Sequence, residues 1–244
     1  MIQPITSTSR PVTAAEDNDG AFGPTTETTK KLLSCLLLAG PLFVVVAVIQ
    51  IFTRPGFDLT RHALSLLTIG SWGWVQSSNF VVTGLLTIAG AMGVRRVLRG
   101  GSGGRWAPIL LTVCGVGFVG GGLFHPDPSN GFPPGTPAGA SAVMSWHGVL
   151  HMVCGSLAFL ALVALSFVLA RSFSRAGQRR WAVSSRIAGS CCAVGIATAG
   201  APGGTVSMFI GVSLALLWVS LIAGQMIAGL RGAQIETRSV ETEL

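Results

Sequence analysis

Four histidines and two acids supply most of the reactive chemistry in the apolar part of this chain. The histidines are His62, His125, His147 and His151, and outside the two polar ends the acids are Asp58 and Asp127. His147 and His151 stand four apart in Trp146-His147-Gly148-Val149-Leu150-His151, so on a helix they share one face, one turn apart. Two imidazoles placed this way, joined by one or two further ligands, commonly hold zinc, and a catalytic zinc keeps three protein ligands and an open position for water. With His125 or Asp127 completing the shell, His125, His147 and His151 are the expected metal ligands and zinc is the expected cofactor. Asp58 and His62 are also four apart, with Ser65 three further on, and the three align if that stretch is helical. Asp58, His62, Ser65 and Asp127 are then the expected catalytic groups, orienting ligands or acting as acid and base. Water acidified by the metal would attack an ester or amide. The run His125-Pro126-Asp127-Pro128 is stiffened by its two prolines. Such stiffness suits a site, and equally a sharp exit from a membrane helix.

The same residues admit two other readings. HxxxH here lacks the glutamate of a zincin-type motif. An Asp58–His147 or Asp127–His125 pair would tie loops to helices as a structural or ligand-binding network, and ionisable groups within membrane segments also mark proton-linked transport. A pore, however, needs polar residues through the full membrane depth, and here they stop near one side. Bis-histidine haem is disfavoured for the same reason, since one half of the membrane region has no histidine.

The elements that must position these residues are membrane helices. Half of the 244 residues are apolar and only 10% are charged, against about a quarter in soluble domains. Nearly uncharged stretches of bilayer-crossing length recur. They run from about Leu32 to Phe52, Trp74 to Val94, Trp106 to Phe124, Trp146 to Ala170, Ala182 to Ala201 and Val206 to Leu230. The expected fold is therefore an all-α, polytopic membrane bundle of six transmembrane helices, multi-pass in the cell membrane. β-barrel alternation is absent, and Trp72, Trp74, Trp106, Trp146 and Trp181 fall at segment ends, as interfacial rings do. The fifth span is the weakest, being rich in small residues and ending in Ala201-Pro202-Gly203-Gly204.

Of sixteen lysines and arginines, all but Arg54 and Arg61 fall on one side of this topology. Positive charge marks the cytoplasmic side, so both termini are expected in the cytoplasm and every histidine and non-tail acid at the outer face. The net charge of +7 reads as this bias and not as nucleic-acid binding. Residues 1–30 read as a disordered cytoplasmic tail, 31–230 as the membrane domain and 231–244 as a short cytoplasmic tail. Cys35, Cys114, Cys154, Cys191 and Cys192 lie within spans, which argues against a disulfide framework. The glycines at 115, 117, 120, 121 and 122 point to close helix approach. Gln76, Ser77, Ser78 and Asn79 either line an outer cavity or are solvated at the interface.

Several of these pieces resemble a family of prokaryotic membrane proteins, domain of unknown function 998. The matching pieces are Phe57-Asp58-Leu59-Thr60-Arg61-His62-Ala63-Leu64-Ser65, Trp74-Val75-Gln76 and Asn79-Phe80-Val81-Val82-Thr83-Gly84. They continue with Gly122-Leu123-Phe124-His125-Pro126-Asp127-Pro128 and Trp146-His147-Gly148 through His151. The resemblance covers residues from about 32 to 230, implies six membrane helices and carries no reaction. A looser likeness, of residue types alone, is to alkaline ceramidases and related seven-helix membrane hydrolases, which gather Ser, Asp and three His around zinc. It serves as chemical analogy only, because the order and number of spans differ. Together these observations predict an outward-facing Asp/His pocket acting on a membrane lipid or other hydrophobic small molecule that arrives laterally. Hydrolysis or an acid–base conversion such as cyclisation is the expected reaction. The alternative is a proton-linked transporter or an accessory membrane subunit.

Overall fold

The structure is a computed structural model that describes residues 24–100, 103–139 and 143–242. The described residues form six α-helices and one short 3-10 turn. They are α1 (Pro24–Thr53), the 3-10 turn Leu64–Thr68, α2 (Gly73–Val97), α3 (Trp106–Leu123), α4 (Trp146–Arg175), α5 (Arg179–Ala197) and α6 (Gly204–Thr242). The fold class is all-α, as the composition requires. Residues 1–23, most of the expected tail, lie outside the described residues.

Two helices outrun the apolar segments that mark them. α1 starts at Pro24, a residue suited to a first helical turn, and α6 runs on past Leu230 to Thr242. Hydropathy locates where a helix leaves the apolar layer, not where its backbone ladder ends. The two extensions also meet: the Lys30 ammonium donates to the Gln234 side-chain oxygen and pairs with Glu27 at 2.9 Å.

Five helices are long and apolar enough to cross a membrane: α1, α2, α3, α4 and α6. α5 falls outside that set because Arg179, Arg180 and Arg186 lie in its first half. Each helix packs against its chain neighbours, and α6 returns to α1, closing a six-membered ring. Every neighbouring pair is antiparallel. Gly90 and Gly93 of α2 meet Leu36 and Leu33 of α1, Gly122 of α3 meets Phe80 and Val81 of α2, and Gly189 of α5 meets Ser166 of α4. The chain thus runs up and down six times, with loop residues 54–72, 124–139, 143–145 and 198–203 at one end. All four histidines lie at or near that end. The other end holds Lys30, Lys31, Arg95, Arg96, Arg99, Arg105, Arg171, Arg175 and Arg179. Leu38, Val45, Ile49, Leu85, Val116, Leu160 and Leu221 are exposed on the outside of the ring, an apolar coat that suits lipid.

Lipid tails are as apolar as leucine, so these helices are held by close packing and by hydrogen bonds between them. A Cβ built on Gly84 would lie 2.5 Å from the Gly115 carbonyl, one on Gly115 2.7 Å from the Gly84 carbonyl, and one on Gly117 2.5 Å from the Cys154 carbonyl. Only glycine admits such approach. Where α1 carries Pro41, the Ser220 hydroxyl of α6 enters its ladder, donating to the Leu36 carbonyl at 2.9 Å and accepting from the Gly40 amide at 3.1 Å. At mid-height Phe43, Phe80 and Phe118 pack ring to ring, with centroids 5.4 to 5.9 Å apart.

Gly117→Val is expected to destabilise the bundle by about 1–3 kcal/mol through forced separation of α3 and α4. Gly229→Val, at a position with nothing within 4 Å of a built Cβ, should leave stability almost unchanged. Unfolding midpoints of both variants in one detergent check the contrast.

Candidate functional site

At the loop end, Asp58 and His62 are joined through the backbone. The Asp58 amide donates to His62 Nδ1 at 2.9 Å, which fixes Nδ1 as an acceptor and puts the ring proton on Nε2. Nε2 then donates to the Asn130 carbonyl at 3.0 Å. His62 is 3% exposed and packs between Phe57 and Phe132. It is a neutral pin between two loops, with both ring nitrogens engaged. Arg54 strengthens the same junction, donating to the Ile69 carbonyl at 2.7 Å and lying over the Phe132 ring. Asn130 takes a left-handed backbone (φ 57°), which its short amide tolerates, and returns a hydrogen bond to the Arg61 carbonyl at 3.3 Å. The Asp58 carboxylate faces solvent, accepting from the Thr60 hydroxyl at 2.7 Å and the Thr60 amide at 2.9 Å. These bonds, the hydroxyl's first, hold its pKa below the ordinary carboxylate value, with the Arg61 guanidinium adding a small contribution.

Asp127 is committed to a helix end. Its carboxylate accepts from the Ser145 amide at 2.9 Å, and Ser145 caps α4 by accepting from the Gly148 amide at 3.1 Å. Any side chain at position 148 would strike this carboxylate, which accounts for glycine between the two histidines. A negative charge at this helix end is favourable. His125 is exposed and contacts the Ser77 hydroxyl at 3.3 Å rather than Asp127. His147 is also exposed and lies against Trp146, with ring centroids 3.5 Å apart and planes tilted by 32°.

His151 points inward. It is 6% exposed, and its Nδ1 lies 2.8 Å from the Phe124 carbonyl and 3.1 Å from the Gly121 carbonyl. Carbonyls only accept, so Nδ1 carries the proton and Nε2 of the neutral ring presents its lone pair. Although i and i+4 place His147 and His151 on one stripe, one ring is outside the bundle and the other inside. Among the described residues no three His, Cys, Asp or Glu side chains come close enough to share a metal ion. His125, His147 and His151, the expected ligands of an open catalytic zinc, do not form such a group among the described residues.

His151 lies on the wall of a cavity of about 400 Å³ between α3, α4 and α6, roofed by the 3-10 turn. The wall is mostly apolar: Phe43, Phe80, Phe118, Phe159, Met208 and Phe209 supply most of it, and Ser65, Ser156 and Thr205 are its hydroxyls. The Thr205 hydroxyl is taken by the Leu59 carbonyl. Gly121 and Gly155 leave the room: a Cβ on Gly155 meets nothing within 4 Å, and one on Gly121 meets only the His151 ring. Met152, Ser156 and Leu160 both line the cavity and are exposed on the outer surface of α4, so the cavity opens sideways through the helix ring. Of the seven residues singled out by chemistry and spacing, Ser65 and His151 reach this space together. No hydrogen bond links them. Asp58, His62, His125, Asp127 and His147 stay in the loops and at the mouth of α4.

Two features escaped the sequence reading. The aromatic wall carries no local signal, because apolar residues surround these helices on every side. A buried amide cluster beside the wall joins Gln50, Gln76 and Asn79: Gln50 donates to the Gln76 carbonyl oxygen at 2.6 Å, and Asn79 donates to the same oxygen at 3.3 Å and to the Phe43 backbone at 3.2 Å. Gln76 and Asn79 were legible as polar residues opening α2. Gln50, placed at the end of an apolar run, was not.

A family model described as "Protein of unknown function (DUF998)" matches residues 37–228. The match spans most of the chain, so the chain belongs to that family. No curated protein and no solved structure matches it.

His62→Ala should destabilise the protein by about 2 kcal/mol, because the Asp58 amide and the Asn130 carbonyl lose their partner. Unfolding in detergent measures this. A carboxylate whose folded pKa is lowered stabilises fully above its unfolded pKa and loses that contribution as pH falls through the folded one. Acid unfolding of the wild type should therefore include a component below the ordinary carboxylate range that Asp58→Asn lacks.

Proposed function

We propose that this DUF998 family member is a six-span protein of the cell membrane that takes a hydrophobic molecule sideways from the outer leaflet into the cavity beside His151. The cavity itself carries the reading: a largely apolar space of about 400 Å³ with one imidazole on its wall, which is the ordinary make-up of a small-molecule site. The lateral opening at Met152 and Leu160 gives a lipid-borne molecule a path that avoids water. His151 Nε2 is the group best placed to receive a hydroxyl-type donor on the ligand, because Nδ1 is already bonded to carbonyls.

The six-span count rests on α5. It is antiparallel to both neighbours in a closed ring whose other members are all membrane-capable, and its 19 residues reach about 28 Å. Its arginines gather at the basic end, where a span can carry them. The positive-inside rule then places the basic end, with both termini, in the cytoplasm and the histidine end outside. In this arrangement the expected tails, 1–30 and 231–244, lie on the cytoplasmic side.

A second reading, acid–base conversion of the bound molecule, is favoured by Ser65 and His151 facing the same cavity. A neutral imidazole with its lone pair toward the ligand is a general base, and bound substrate would have to bring Ser65 or its own hydroxyl within hydrogen-bond reach.

The test is photolabelling with a long-chain alcohol carrying a diazirine, followed by peptide mapping. Label is expected on α4 around Met152–Phe159 and on α6 around Met208–Val212. Gly155→Leu, at a cavity-lining position where a Cβ meets nothing within 4 Å, should reduce it at least fivefold. His151→Phe should weaken alcohol binding about fivefold, the worth of one hydrogen bond, and leave the matching hydrocarbon probe unaffected. Equal labelling of wild type and Gly155→Leu would sink the proposal.

A further inference from the structure

At the opposite end of the molecule, α4 and α5, joined by the short turn 176–178, line an open groove of about 340 Å³ formed by Phe167, Ala170, Arg171, Ser174, Arg175 and Arg186. We infer that this groove is a binding site for the phosphodiester headgroup of an anionic phospholipid, in the leaflet at the basic end. The inference is independent of the cavity beside His151 and needs only that the helices lie in a membrane.

Three guanidinium groups line one groove, and among the described residues no carboxylate does. Arg171 and Arg175 are four apart on α4, so both stand on the stripe of that helix that lines the groove. Arg186 reaches across from α5 and is steadied by donating to the Ser174 hydroxyl at 2.9 Å. That leaves other N–H groups of its fork for a phosphate oxygen, and planar forks match phosphate better than ammonium groups do. The groove closes toward the bilayer centre. Gly189 brings α5 against α4 so tightly that a Cβ there would lie 2.8 Å from the Ser166 Cβ and 3.3 Å from the Phe167 ring. A headgroup entering from the basic end therefore stops at this constriction.

The surroundings favour a lipid over a free phosphate ion. Phe167 and Ala170 form an apolar part of the groove, and Phe167, Val183 and Ile187 are exposed on the outside of the same two helices. Acyl chains attached to a phosphate held by the arginines would lie along that surface. Basic pockets between membrane helices commonly take acidic headgroups in this way. The other basic residues of this end differ in setting: Arg95, Arg96 and Arg99 belong to the end of α2 and the turn after it and line no part of the groove.

Native mass spectrometry of the full chain, released from detergent supplemented with dioleoylphosphatidylglycerol or dioleoylphosphatidylcholine, tests this directly. The wild type should retain phosphatidylglycerol in preference to phosphatidylcholine. Each guanidinium removed should weaken retention about fivefold, so the Arg171→Gln/Arg175→Gln/Arg186→Gln variant should retain almost none. The Arg95→Gln/Arg96→Gln/Arg99→Gln variant removes the same charge at the same end and should stay within twofold of wild type. Arg186→Lys keeps the charge but loses the fork, and should fall between wild type and Arg186→Gln. If the triple groove variant does not fold, Arg186→Gln against wild type gives the same reading. Equal loss in the two triple variants would mean a diffuse charge effect and would overturn the site. Displacement of the lipid by millimolar inorganic phosphate would assign the groove to a soluble anion and overturn the lipid assignment. Failure to discriminate the two lipids would overturn both.

Discussion

Backbone-to-backbone approach at glycine organises this protein. In a bilayer the gain from hiding apolar side chains is the same against lipid as against another helix, so association depends on contact density and on hydrogen bonds. Gly84 and Gly115 give α2 and α3 such contact, Gly117 gives it to α3 and α4, and Gly195 gives it to α5 and α6. α3 is the shortest membrane-capable helix, with glycine on both of its packed sides. Its closeness to α2 and α4 sets the height at which Phe43, Phe80 and Phe118 meet. The same glycine-rich stretch supplies Gly117 and Gly121 to the cavity wall. Packing and cavity thus share one cause: where a facing backbone fills the space glycine leaves, a seam forms, and where none does, a space remains.

Polar groups within the bundle are few, and several of them act as joints. His62 ties two loops through both ring nitrogens, Asp127 and Ser145 hold the start of α4, and Ser220 bridges α1 at its proline. A buried polar group without a partner is costly in a low-dielectric setting, so most such groups are committed. His151 differs from His62 in that only its Nδ1 is engaged. Burial with one nitrogen tied and the other turned to an apolar space is a poor arrangement for a joint and a useful one for holding a ligand.

The two ends of the ring differ in chemistry. One is a knitted set of loops with histidines, a capped helix and few cations. The other is arginine-rich, with Arg171, Arg175 and Arg186 lining one groove between α4 and α5. Both α4 and α5 take part in this asymmetry. Close contact at Gly189 separates the arginine groove from the upper halves of the same helices, where Ile196 and Leu160 border the apolar cavity.

The class of the protein was legible without coordinates, because apolar runs of bilayer length with so little charge permit little but helices. So were the segments, each within several residues of a helix, and the gathering of His62, His125, His147 and His151 at one end, since alternating spans carry loops to alternate sides. Helix ends were less legible: Pro24 and Thr242 lie beyond the apolar layer that hydropathy measures. Residue spacing could not say which way rings turn. His147 and His151 share a stripe, yet one packs on Trp146 outside and the other lies inside against two carbonyls, because α4 enters the bundle between them. Asp58 and His62 are four apart, yet they meet through an amide rather than as an acid–base pair. Position along the chain determined which residues reach the histidine end. Only the packing of α3 and α4 against the aromatic wall decided that Ser65 and His151 share a cavity, because that depends on which glycine faces find a partner backbone and which do not.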